Sequence, residues 1–114
     1  MTFETVRRLA LALPGVEEGT SYGTPAFKVR KKFLVRLRED GETLALRIDF
    51  DDREILIAAK PETYYITDHY RGYPAMIVRL ATEDEDDLRE LLEQSWRQVA
   101  PKKAVAEFDA GNRG

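Results

Sequence analysis

The chain has 114 residues, 43% hydrophobic and 34% charged, with a formal net charge of -3, enough for one compact domain that buries roughly 65% of the surface its unfolded form would expose. The absence of cysteine excludes disulfides, thiolate metal sites and cysteine nucleophiles. The negative net charge excludes a bulk electrostatic nucleic-acid binder, whose isoelectric point usually exceeds about 9, so a polyanion partner has to use a local patch. The opening run MTFETVRRLALALPG is interrupted by Glu4, Arg7 and Arg8 and fits neither a signal peptide nor a spanning helix. A cytoplasmic protein without membrane association is the expectation.

Thr2 is placed to cap a helix over Phe3 to Leu13, with Phe3, Val6, Leu9, Ala10 and Leu13 at helical spacing and Pro14-Gly15 as the stop. Val16 to Tyr22 reads as extended and Gly23-Thr24-Pro25 as a turn. Three strands are predicted next, at Pro25 to Arg30, Phe33 to Arg38 and Thr43 to Asp49. Strict alternation puts Phe27, Val29, Phe33, Val35, Leu37, Leu44, Leu46 and Ile48 on an inner face. The same alternation puts Lys28, Arg30, Leu34, Arg36, Arg38, Ala45, Arg47 and Asp49 on the outer one, with a turn near Lys31-Lys32. Glu39-Asp40-Gly41-Glu42 carries the Asp-Gly signal of a tight hairpin. Asp51 or Asp52 starts a short helix to about Lys60 with Ile55, Leu56 and Ala59 on one side, although Ile55-Leu56-Ile57 also fits a strand.

Pro61 to Thr63 suggests a turn, Tyr64 to Thr67 an extended piece, and Asp68 to Tyr73 a loop before a strand at Pro74 to Leu80, with Met76, Val78 and Leu80 inward. Thr82 with Glu85 matches a capping box, and Leu88, Leu91, Leu92, Ser95, Trp96 and Val99 form the apolar stripe of a helix over Glu83 to Val99 that Pro101 ends. Residues 1–108 form the expected domain, and Asp109 to Gly114 the expected disordered tail. Together these elements predict an α+β domain with helices packed on one face of an antiparallel sheet.

TSYGTPAFKV at Thr20 to Val29, PETYYITDHYRGYPAMIVRL at Pro61 to Leu80, and SWRQVAPKK at Ser95 to Lys103 together resemble the MmcQ/YjbR family of small bacterial proteins. That resemblance implies a CyaY-like fold related to double-wing DNA-binding domains. Fold similarity alone does not assign an activity. Where relatives carry glycine in the turn before a lysine, this chain has Lys31, a departure that predicts a wider hairpin turn and adds a positive charge at its tip.

Charge is strongly polarised: Lys28 to Arg38 holds six Lys/Arg and no acid, whereas Glu83 to Glu93 holds seven acids and only Arg89. Lys28, Arg30, Lys31, Lys32, Arg36, Arg38 and Arg47 are the candidates for phosphate contact, because guanidinium and ammonium groups on a rigid sheet match phosphate oxygens. The competing reading is a solvated outer face partly neutralised by Glu39, Asp40, Glu42 and Asp49. His69, the single histidine, lies in a loop with Tyr70, Arg71 and Tyr73 and suits a base, a proton switch or a nucleic-acid contact. In the competing reading, Asp68 or His69 ties the loop down by hydrogen bonds while Tyr70 and Tyr73 pack at its base. Tyr22, Tyr70 and Tyr73 are the better candidates for exposed stacking, with Phe27 and Trp96 in the core.

The acids from Glu83 to Asp87 suit a helix N-terminus, and no metal site or cofactor is implied. No phosphate loop, catalytic triad or paired ligand set is present in the sequence, so an enzyme reading rests on His69 alone. The expected function is a nucleic-acid-binding or regulatory module, with DNA or another nucleic acid as partner. The alternative is an adaptor that meets an acidic protein surface.

Overall fold

Val6, Leu9 and Ala10 recur at helical spacing and become the buried stripe of α1 (Phe3–Leu11). Gly15, at φ +76, turns the chain into β1 (Val16–Ser21). The rest of the sheet and its flank follow in chain order: β2 (Thr24–Val29), β3 (Lys32–Leu37), β4 (Thr43–Arg47), α2 (Phe50–Ala59), β5 (Tyr64–Tyr65), β6 (Ala75–Arg79), α3 (Glu85–Val99) and α4 (Lys102–Asn112). The computed structural model describes residues 1–112. The strands form one antiparallel sheet in the order β1-β2-β3-β4-β6-β5, so the α+β class expected from the periodicity holds. No helix of the described residues is long and apolar enough to cross a membrane.

One face of the sheet is covered. Phe27, Val29, Val35, Leu44, Leu46, Met76 and Val78 meet the inner stripes of α1 and α3 there. Trp96 is fully buried, and its Nε1–H donates to the Pro14 carbonyl at 2.7 Å, which satisfies the indole's only polar atom. The Ser95 hydroxyl bonds the Arg47 carbonyl, fixing α3 to the end of β4.

Several local expectations are corrected. A β-bulge between Phe27 and Lys28 shifts the β2–β3 register, so Phe33 stands opposite Lys28 on the open face and Leu34 joins Val35 in the core. Strict alternation has the reverse assignment, because it allows no extra residue. The β2–β3 turn is a tight two-residue one at Arg30 (φ 51) and Lys31 (φ 69) rather than a wider turn near Lys31-Lys32, and β1–β2 turns likewise at Tyr22 (φ 54) and Gly23 (φ 80) rather than at Gly23-Thr24-Pro25. Both pairs have the positive-φ signs of a type I′ turn, whose twist matches the strands.

In α2, Leu56 faces inward as expected, but together with Arg53 and Ile57, while Ile55 is 65% exposed and Ala59 is exposed. Asp49 caps this helix by accepting from the Asp52 N–H, in place of Asp51 or Asp52. Asp84, not Thr82, caps α3, accepting from the Asp86 and Asp87 N–H groups at 3.0 and 3.1 Å, while the Thr82 hydroxyl donates to the Glu62 carbonyl. Helix α4 carries the chain through Asp109, in place of the expected disordered tail. Phe108 packs on Trp96 with ring centroids 5.0 Å apart, and Arg97 bonds both Asp109 oxygens. The end of the expected tail, residues 113–114, lies outside the described residues.

Candidate functional site

The open face is built by alternate residues of β2 and β4 and, across the bulge, by residues three apart on β3. Lys28 on β2, Phe33 and Arg36 on β3, and Ala45 and Arg47 on β4 emerge on the same side. Their far wall is the segment from β5 to β6, where Asp68–Tyr70 forms one 3₁₀ turn. Together with Tyr22 and Lys31 from the two tight turns, they line a groove of about 410 Å³ that also includes His69, Tyr70, Tyr73 and Pro74. Of the basic candidates, Lys28, Lys31, Arg36 and Arg47 therefore converge on one groove.

The other three are elsewhere. Arg30 is exposed at the turn, and Lys32 is in register with Val29, whose side chain enters the core. Arg38 folds onto its own hairpin, its Nη1 donating to the Thr43 hydroxyl at 3.2 Å and lying 3.9 Å from Asp40. Asp40 is itself held below the ordinary carboxylate range: burial opposes this, but the Glu42 N–H, the Thr43 hydroxyl and the Thr43 N–H outweigh it. From the loop, Arg71 does not line the groove; it is exposed and paired with Asp68 at 2.7 Å.

The four groove cations are not equivalent. Arg36 is 9% exposed and held at both terminal nitrogens: Nη1 donates to Glu39 at 3.1 Å and to the Leu37 carbonyl at 3.3 Å, and Nη2 donates to the Tyr70 hydroxyl at 3.2 Å. The Tyr22 ring lies over its guanidinium at 5.1 Å. The Glu39 carboxyl is held below its ordinary range, first by its own backbone N–H and then by Arg36. Arg47 uses Nε on the Phe33 carbonyl at 2.7 Å and has no other partner among the described residues. Lys28 and Lys31 have none among them; Glu17 stands across from Lys28 in register without an ion pair. The groove thus offers three cations whose charge is not already neutralised, above a fixed, neutralised Arg36.

Aromatic rings occupy both sides. Tyr22 is 82% exposed and Tyr73 60%. His69 stacks on Tyr73 at 5.9 Å and meets the edge of Tyr70 at 4.9 Å. Tyr70, expected as an exposed stacking residue, is buried, because its ring closes a small cluster with Ala45, Ala75 and Ile77 and its hydroxyl accepts from Arg36.

What ties down the loop is a residue the sequence reading missed. Buried Arg53 reaches from α2, its Nη1 donating to the carbonyls of Tyr70, Tyr73 and Ala75 at 2.7 to 3.0 Å and its Nη2 to Arg71 at 3.2 Å. These bonds add to the expected tether at Asp68, which accepts from Arg71 at 2.7 Å, while His69 meets its neighbours through ring contacts. The available signal was spacing: Arg53 precedes Leu56 and Ile57 by three and four residues, on their helical face.

The family model YjbR matches residues 11–98. The chain belongs to the YjbR family. Uncharacterized protein Rv2570 of Mycobacterium tuberculosis and uncharacterized protein Mb2600 of Mycobacterium bovis are each 40% identical over 73 residues, 63% of this chain. The match spans 57% of those relatives' length. The crystal structure of Deinococcus radiodurans protein DR2400, a DUF419 domain, superposes with a TM-score of 0.74 at 24% identity, covering 90% of this chain and 80% of that one.

Proposed function

We propose that this YjbR chain is a cytoplasmic nucleic-acid-binding module that works through the groove on the open face of its sheet. The observation that carries the reading is convergence: Lys28, Lys31, Arg36 and Arg47 line one groove, and no carboxylate is among its lining residues. Two acids stand close to these cations, Glu39 bonded to Arg36 and Glu17 across from Lys28, but neither lines the groove. The double-wing relationship that the sequence motifs imply favours the same assignment by analogy, with the Arg30-Lys31 turn as a wing tip.

With Arg36 neutralised by Glu39, the unneutralised set is Lys28, Lys31 and Arg47. Three phosphate contacts give a slope of log affinity against log salt of about -2.7 on duplex DNA and about -2.1 on single strands. Binding is then weak at physiological salt and clearest below it. A fluorescence-anisotropy titration of labelled duplex DNA, single-stranded DNA and single-stranded RNA at two salt concentrations tests this. Lys28→Ala with Lys31→Asn should weaken binding to every sequence alike and make the slope shallower by about one unit for each phosphate that is no longer neutralised. If the wild type binds no probe at low salt, or the folded double variant binds equally well, the groove is not a nucleic-acid site and an acidic protein surface becomes the partner to test.

A further inference from the structure

Tyr22 is the first central residue of a type I′ turn, at φ 54 with Gly23 at φ 80. That position favours Asn, Asp or Gly, and a side chain as bulky as tyrosine is strained there. The ring does not recover the cost by burial, since the residue is 82% exposed. It lies instead over the Arg36 guanidinium on one side of the groove, while the stacked His69 and Tyr73 rings stand on the other. Arg36 links the two sides through its bond to the Tyr70 hydroxyl, and Tyr70 in turn meets His69. Lys31, in the other positive-φ turn, brings its charge to the same groove. Residues held in sparsely populated backbone regions and exposed at a groove are a recurrent mark of ligand contact.

We infer that the groove takes unpaired nucleotides of a single-stranded nucleic acid, stacking bases on Tyr22 and on the His69–Tyr73 pair while Lys28, Lys31 and Arg47 meet the backbone phosphates. This rests on the nucleic-acid reading above and narrows it. In a duplex the base faces are stacked on one another, so exposed rings would be offered nothing to cover; in a single strand every base presents a face.

The test compares three fluorescein-labelled 12-mers at low salt: single-stranded DNA, the same strand with abasic sites throughout, and duplex DNA, with single-stranded RNA as a fourth arm to separate the two sugars. The first two carry the same phosphates, so the bases decide their difference, and the duplex presents a denser phosphate array with its base faces covered. Single-stranded DNA should bind about tenfold tighter than the abasic strand and the duplex, the effect of roughly one stacked base. Tyr22→Asn, which suits the turn, should keep or raise the urea midpoint and cut the preference for the single strand over the abasic one several-fold, with the remainder resting on the His69–Tyr73 pair. Tyr22→Phe should retain the preference. Equal salt-dependent binding of all strands, or a Tyr22→Asn protein that keeps the preference, overturns this inference and leaves the cationic reading standing; no binding of any strand overturns both.

Discussion

The two faces of the sheet are made by the same strands yet solve opposite problems. On the covered face, apolar residues meet the stripes of α1 and α3, and the polar atoms of Trp96 and Ser95 are each satisfied by a backbone carbonyl. On the open face, the small cluster of Ala45, Tyr70, Ala75 and Ile77 is roofed by arginines and aromatic rings, with charge left unneutralised around it. Stability is concentrated on the first face, where burial removes apolar surface from water at about 25 cal/mol per Å². The second gives up conformational freedom at turns that hold Tyr22 and Lys31 at positive φ. The difference teaches that the groove is a place where the fold tolerates local cost, which is expected of a surface shaped by what it contacts.

The largest test of this division is Trp96→Ala, which should destabilise by about 3 to 5 kcal/mol in a urea melt. A loss below about 1 kcal/mol would show that α3 does not dock through this ring. Leu34 and Phe33 sharpen the boundary between the faces, because they are sequence neighbours on opposite sides of the bulge. Leu34→Ala should cost about 2 to 5 kcal/mol, and Phe33→Ala clearly less, since its partly exposed ring packs only against the open-face cluster. Equal costs would erase the assigned register.

Arg53→Met should cost about 2 to 3 kcal/mol, since it strips charged donors from four carbonyls. Its signature is local. Amide exchange should accelerate through residues 68–75 while the α3 amides keep their protection, and exchange that rises uniformly would mean that Arg53 supports the whole domain rather than the groove wall.

The smallest expected effect concerns Glu83, the buried carboxylate of the covered side, which accepts from the Tyr64 hydroxyl at 2.7 and 2.9 Å. Burial raises its pKa above the ordinary 4.5, with the Tyr64 and Asp84 bonds opposing. A raised carboxyl pKa means that the native state binds the proton more tightly, so ionisation costs stability above the folded pKa and the cost fades as pH falls through it toward 4.5. Wild type should therefore gain stability relative to Glu83→Gln as pH falls from neutral toward 4.5, read from paired urea melts. A difference that stays constant, or moves the other way, would show that Glu83 ionises as freely as an exposed acid.

What the sequence determined by itself was what repeats locally. The stripe from Leu88 to Val99, the alternation of Leu44, Leu46, Met76 and Val78, and the Asp-Gly hairpin are all set by spacing, so the α+β class and the content of the covered core were legible from residues alone. So was the polarised charge that marks one side of the sheet. Tertiary structure decided whatever depends on a partner distant in the chain. The bulge that exchanges Phe33 for Leu34 follows from cross-strand register, and the burial of Tyr70 follows from Arg36, 34 residues away. The wall of the groove is held by Arg53 across 17 to 22 residues, and α4 is held by Phe108 on Trp96 and by Asp109 on Arg97. Seven basic residues were equal candidates on composition. Only the fold separates Lys28, Lys31, Arg36 and Arg47, which share the groove, from Arg30, Lys32 and Arg38, because a strand's alternation says which side a residue leaves by but not what it meets there.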